Sequence, residues 1–311
     1  MISMKKILKV FTLITLFLSF SYSYAEAKLQ LQKVTKDVYA IVGELSNRTP
    51  ENLGNNATFG VVVTTEGVVL IDSGGTYKGA QKIDKLIKTI TDKPVIMVIN
   101  SGGQDHRWLG NGYFKQQGAQ IIASEDAVRD QKARTQDQFF MLGNLVGDEG
   151  LKGTDSVYAE KTFKETLVFK KGGTTFEIYH VGQAHTPGDS FIWLPQKKVM
   201  FTGDIVYVER MLGVGPQSNS KSWMTVFNAM ADYKPVHVVP GHGKATDLSH
   251  ATKDTYDYLV FIRKSVSDFI DNDGEMTEIG SVDQSKFNYL NNYKSISGRN
   301  AQQVFTEMEW E

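Results

Sequence analysis

Ser101-Gly102-Gly103-Gln104-Asp105-His106 sits just after an apolar run at residues 94–99, and the fold turns on how that junction is read. The run is short and rich in Val and Ile, so it reads as a buried strand, with the hexapeptide as the loop at its end. Adjacent residues such as Asp105 and His106 cannot share a helix face. A loop can turn both towards one point, and Gly102 and Gly103 permit the unusual backbone angles such a turn needs. Divalent zinc takes imidazole and carboxylate ligands at about 2.0–2.2 Å. Three later stretches place the same residue types just past apolar runs: Gly182-Gln183-Ala184-His185-Thr186-Pro187-Gly188-Asp189, Phe201-Thr202-Gly203-Asp204 and Val239-Pro240-Gly241-His242-Gly243. Strand-end loops let a rigid scaffold gather distant segments around an ion. The candidate metal ligands are therefore Asp105, His106, His185, Asp204 and His242.

Taken in order, these four stretches resemble the signature of the metallo-β-lactamase-fold superfamily, whose first motif reads His-x-His-x-Asp-His. Laid over it without a gap, Ser101 and Gly103 fall on the first two histidines, while Asp105 and His106 remain. The resemblance implies a second metal position ligated by Asp105, His106 and His242, with Asp204 bridging to a first position. That first position would keep His185 and a share of Asp204, and lack both of its other imidazoles. Ser101 is a poor zinc ligand at neutral pH and Gly103 has no side chain to offer. One zinc ion is therefore expected rather than two; iron suits the same donors. Asp72 falls on a family aspartate that supports the site, and Ser101, Thr186 and Asp189 are further supporting candidates.

The rest of the chain supports a mixed α/β fold. Strands are expected at residues 29–34, 38–42, 58–64, 68–71, 94–99, 119–123, 167–169, 176–181, 190–194, 198–201 and 236–239. Helices are expected at 77–91, 110–117, 125–140, 222–233 and 251–269; Ala80, Ile83, Leu86, Ile87 and Ile90 share one face of the first. Two sheets packed face to face with helices outside fit this order, and the resemblance implies the four-layer αβ/βα sandwich. Residues 136–159 lack clear periodicity and read either as a lid or as a helix packed on the core.

Residues 1–25 read as a secretory signal peptide. Lys5, Lys6 and Lys9 precede an apolar run, and small residues follow at Ser23 and Ala25. The run is too short to favour a permanent span, so the chain is expected to be periplasmic or secreted, with residues 26–311 forming a single domain that carries a C-terminal helical extension. Of the 34 basic residues in the whole chain, those three lysines leave with the leader, so 31 basic residues face 35 acidic ones. That mild surface disfavours nucleic acid as a partner. There is no cysteine, hence no disulfide.

The leading expectation is an exported zinc-dependent hydrolase, mononuclear, that cleaves an amide, lactone, thioester or phosphoester of a small molecule by metal-bound hydroxide. Asp105 and His185 are the candidate catalytic residues, the latter freed from ligation to act as a base or to hold an oxyanion. Hydroxyacyl-glutathione hydrolases and persulfide dioxygenases, which share the resemblance, need the histidines absent here. The rival expectation is a catalytically degenerate binding or accessory protein of the same fold. Arg107, Trp108, Tyr207 and Arg210 flank the motifs and read either as substrate contacts or as surface arginines and core aromatics. The oligomeric state is not legible.

Overall fold

The structure, a computed structural model, describes residues 29–309 and 311. The expected signal peptide at 1–25 lies outside the described residues. The strands run β1 (Gln30–Thr35), β2 (Val38–Val42), β3 (Thr58–Val63), β4 (Val68–Ile71), β5 (Val95–Ile99), β6 (Gln120–Ser124), β7 (Lys161–Phe163), β8 (Thr166–Lys171), β9 (Thr174–Tyr179), β10 (Phe191–Leu194), β11 (Val199–Phe201) and β12 (His237–Val239). The helices are α1 (Tyr77–Ile87), α2 (Asp105–Trp108), α3 (Asn111–Gln116), α4 (Glu125–Leu151), α5 (Ser220–Ala231), α6 (Leu248–Ala251), α7 (Asp257–Asp271) and α8 (Tyr293–Met308). A π-helical turn, Thr252–Tyr256, joins α6 to α7.

A seven-stranded sheet, β1 to β7 in chain order, packs on a five-stranded sheet of order β12-β11-β10-β9-β8. The period of two in the sequence sorts side chains between layers. In β4, Val69 and Ile71 point between the sheets, where they meet Ile192, Leu194 and Phe201 of the second sheet. Val68 and Leu70 point the other way, onto Ala80 and Ile83 of α1. In β10 and β11, Phe191, Trp193 and Met200 face outward onto α5, α7 and α8 through Phe227, Ile262 and Phe305. The result is four layers, helix–sheet–sheet–helix. Phe305 is thus core; Trp310 lies outside the described residues.

Strands β4 to β7 pair in parallel, as do β11 and β12. The carboxyl ends of β4, β5, β11 and β12 consequently open onto one edge of the sandwich. The start of β3 reaches the same edge: Thr58 N–H donates to Gly241 O at 2.7 Å and its hydroxyl to Gly243 O at 2.6 Å. These bonds tie the two sheets together beside His242.

Two expectations need correction. The helix foreseen at 125–140 continues to Leu151, bent at Gly147, whose φ of 71° is left-handed. Leu142 and Val146 pack on Trp108 and Leu109, so this half of the 136–159 segment is helix on core and not a free lid; Phe140 and Met141 face solvent. The Asp105–His106 pair opens the one-turn helix α2 instead of lying in a loop. No helix among the described residues is long and apolar enough to cross a membrane.

Candidate metal centre

His106, Asp204 and His242 converge on one point. One ligand atom from each lies within 4.8 Å of the others, and all three residues are buried. His106 Nε2 is 3.2 Å from Asp204 Oδ2, and His242 Nε2 is 3.2 Å from Asp204 Oδ1. The Nδ1 of His242 meets Asn56 O at 2.8 Å. Donation to this carbonyl, the nearer partner, turns the Nε2 lone pair on the carboxylate; acceptance from Arg210 Nη1 at 3.3 Å would place the proton on Nε2 instead. In the first arrangement two acceptors face each other, as they do around a bound cation. Burial, aided by the charge of Arg210, holds His242 well below the usual imidazole range. Tyr207 stacks on the ring at 4.5 Å between centroids.

His106 Nε2 is buried and has no hydrogen-bond partner. Such orphaned atoms are uncommon in folded proteins and point to an ion or water that belongs there. Its Nδ1 has two neighbours of opposite character, Arg48 Nη2 at 2.7 Å and Asp105 Oδ1 at 3.1 Å. Donation to Asp105 leaves Nε2 free to ligate; acceptance from Arg48 would place the proton on Nε2. By donor chemistry and convergence, these three residues fit one metal ion.

The other two candidate ligands stand apart from this group. Asp105 turns Oδ1 to Arg48, to its own neighbour's His106 N–H at 2.7 Å and to Gln104 Nε2 at 3.3 Å. Burial opposes its ionisation, but Arg48 and His106 prevail and hold the carboxyl far below the usual range. His185 donates Nδ1–H to Gly213 O at 2.9 Å, which leaves Nε2 as an acceptor. Burial pushes its imidazole down to about 4, so the ring is neutral at pH 7. It stands in edge contact with Tyr207 and tilted against Trp223, and lines a cleft of about 540 Å³. Arg299, Gln303 and Thr306 of α8 line the same cleft, as does Met276.

The supporting candidates form two hydrogen-bonded braces around the motif. Asp72, at φ 66°, accepts from Ser101 N–H at 2.7 Å and from the Ser101 hydroxyl at 2.8 Å. Thr186 accepts from Gly103 N–H at 3.2 Å and donates its hydroxyl to Asp189 at 2.5 Å. Burial, reinforced by Asp204, pushes the Asp189 carboxyl up to about 8. A Cβ on Gly103 would strike the Asp130 carboxylate, and one on Gly203 would strike Ser101. Asp130 is itself held by Arg134, whose Nε donates at 2.7 Å.

Sequence reasoning missed the arginines. Arg107 is fully buried, where a surface arginine was one expectation. Its Nε and Nη2 donate to the two oxygens of Asp204 at 3.0 and 2.6 Å, and its Nη1 donates to Asp72 at 3.0 Å. Burial disfavours the guanidinium charge, yet Asp204 and Asp72 overcome this and raise its pKa. The same pairing outweighs burial at Asp204 and holds that carboxyl well below its ordinary value. Arg210 is nearly buried, with Nη1 3.2 Å from Ser46 O. Arg48 and Asp130 gave no signal, since one lies in an irregular connection and the other in a helical i,i+4 pattern with Arg134. Trp108 is core, its Nε1 donating to Gln138.

A family model described as the metallo-beta-lactamase superfamily matches residues 54–242. The chain is 29% identical over 203 residues to a type 2 metallo-beta-lactamase of Elizabethkingia meningoseptica, which spans 64% of this chain and 73% of that one. It is 24% identical over 223 residues to the type 2 enzyme of Bacillus cereus, with 70% and 78% covered. A solved metallo-beta-lactamase from Pontibacter korlensis superposes with a TM-score of 0.57 at 24% identity, covering 72% of this chain and 96% of that one. A sec-alkylsulfatase from a Pseudomonas species gives a TM-score of 0.67 at 16% identity, covering 89% of this chain and 50% of its own. The structural likenesses show the shared fold.

Proposed function

This chain belongs to the metallo-beta-lactamase superfamily, and on that premise we propose that it is a hydrolase of a small molecule built around a single zinc ion held by His106, Asp204 and His242. The observation that carries the reading is the partnerless, buried Nε2 of His106 beside Asp204 and the Nε2 of His242. A divalent ion so held supplies Lewis acidity and brings the pKa of water down to about 7. The protein's own groups do the rest. Asp204 stays ionised because Arg107 grips both oxygens. Asp105 orients the His106 ring through Nδ1 and acts through that histidine, its own carboxylate being taken by Arg48. The substrate lies in the cleft between the Gly213–Pro216 loop and α8, and His185 Nε2, unprotonated at neutral pH, accepts a proton there. Residues 1–25 direct export to the periplasm or the medium.

The test is elemental analysis of the protein dialysed without added metal, with a panel of ester, lactam, thioester and phosphoester substrates assayed with and without chelator. Close to one equivalent of zinc and chelator-sensitive turnover of a panel member are expected. Absence of both would overturn the reading. A second reading, a binding protein without turnover, is favoured by one observation: Arg48 and Arg107 already compensate Asp105 and Asp204. Under it, chelator leaves thermal stability unchanged and no substrate is turned over.

A further inference from the structure

Arg107 uses every donor it has. Nε bonds Asp204 Oδ2, Nη1 bonds Thr58 O at 3.2 Å and Asp72 Oδ2, and Nη2 bonds Asp204 Oδ1 and Gly241 O at 2.9 Å. A guanidinium has five N–H groups, so none is left over. The side chain has no exposure, and the two carboxylates it joins have next to none. A buried pair of anions is tolerated only with a matching positive charge held in good geometry. Asp72 and Asp204 stand just past the ends of β4 and β11, one in each sheet, so the guanidinium also ties the two sheets together at the carboxylate that His106 and His242 approach. On the register that sets Ser101 and Gly103 at the first two histidines, Arg107 joins the two halves of the centre: it holds Asp204 on the side of His106 and His242, and Asp72, which Ser101 also bonds, on the side that has lost its metal ligands. The volume beside Gly103 is meanwhile filled by Asp130.

We propose that Arg107 is a protein-borne cation that substitutes for the absent first metal ion: it compensates Asp72 and Asp204 permanently, limits the centre to one ion and moderates the affinity for that ion. The proposal rests on the single-ion reading above, but its test separates the two. Zinc binding is measured by titration in a metal buffer on wild type, Arg107→Gln and Asp72→Asn, with melting temperature followed with and without chelator. Charges a few ångströms apart in a partly dry site interact by enough to shift affinity about tenfold or more. Removing the guanidinium therefore tightens zinc binding by about tenfold or more and makes stability depend on the metal. Asp72→Asn, which keeps the shape and leaves Arg107 under-compensated, weakens zinc binding by a similar factor. A merely structural or orienting role for Arg107 predicts weaker binding in both variants, and that result, or no change in either, would overturn the proposal. Wild type that takes up no zinc while Arg107→Gln does would sink the single-ion hydrolase and sustain the substitution. If Arg107→Gln does not fold even with zinc present, Arg107→Lys joins Asp72→Asn: the lysine keeps the charge and loses the planar fork, so zinc affinity stays near wild type, and weaker binding in Arg107→Lys, or unchanged or tighter binding in Asp72→Asn, ends the proposal.

Discussion

The two halves of this centre were built from the same strand ends and have gone different ways. On one side, His106, Asp204 and His242 turn nitrogen and oxygen atoms on one another, and the buried Nε2 of His106 has no hydrogen-bond partner. On the other, Ser101, Gly103 and Thr186 are absorbed into closed hydrogen bonds with Asp72 and Asp189, and Asp130 fills the remaining volume. Residue identity at the motif does not separate the halves as well as satisfaction does. A buried polar atom without a hydrogen-bond partner, such as His106 Nε2, marks a candidate site more clearly than the residue types of the motif do.

The sharpest way to break that contrast is to remove a donor from the open half. His242→Ala should lower zinc affinity by roughly a hundredfold or more, beyond what outer-shell changes usually cause, while circular dichroism stays native. Zinc retained at the wild-type level would show that these atoms are not ligands. Refilling the closed half comes next. Gly103→His collides with Asp130 and should cost about 1–3 kcal/mol of stability, read from the denaturant midpoint, without recruiting a second ion. A second equivalent of zinc in that variant would mean the closed half is merely empty and not replaced. The last effect is pH-dependent. Asp189 keeps its proton in the folded protein up to about 8, whereas an ordinary carboxyl loses it near 3.8. Its contribution is fully present below the lower value and is lost as pH rises towards the upper one, at a slope of at most about 1.4 kcal/mol per pH unit. Urea midpoints across this range should decline less steeply for Asp189→Asn than for wild type; identical slopes would remove Asp189 from the account.

Much of the architecture could be read from the chain because it follows from local rules. Alternation in β4 and β10, the helical face through Ala80 and Ile83, and the placement of Asp72, His106, Asp204 and His242 past strand ends all depend on neighbours in sequence. What escaped depended on distant partners. Arg107 looks like any charged residue after a motif until β3, β4, β11 and β12 bring Thr58, Asp72, Asp204 and Gly241 around it. Arg48 reaches Asp105 from an irregular connection between β2 and β3, where no periodicity marks it. The length of α4 was missed for a related reason: its buried stripe, Leu142 and Val146, is legible only once Trp108 and Leu109 are there to receive it.

The cleft beside His185 has one wall on the loop at Gly213–Pro216 and the other on α8, some eighty residues further along the chain. None of the α8 residues that line it touches His106, Asp204 or His242 through any hydrogen bond or ion pair among those described. On the proposed reading, the residues that would select a substrate on α8 lie apart in the polypeptide from the three that would hold the metal, and His185 is where the two meet. On that reading, a lineage could exchange Arg299, Gln303 or Thr306 and admit different molecules without altering His106, Asp204 or His242.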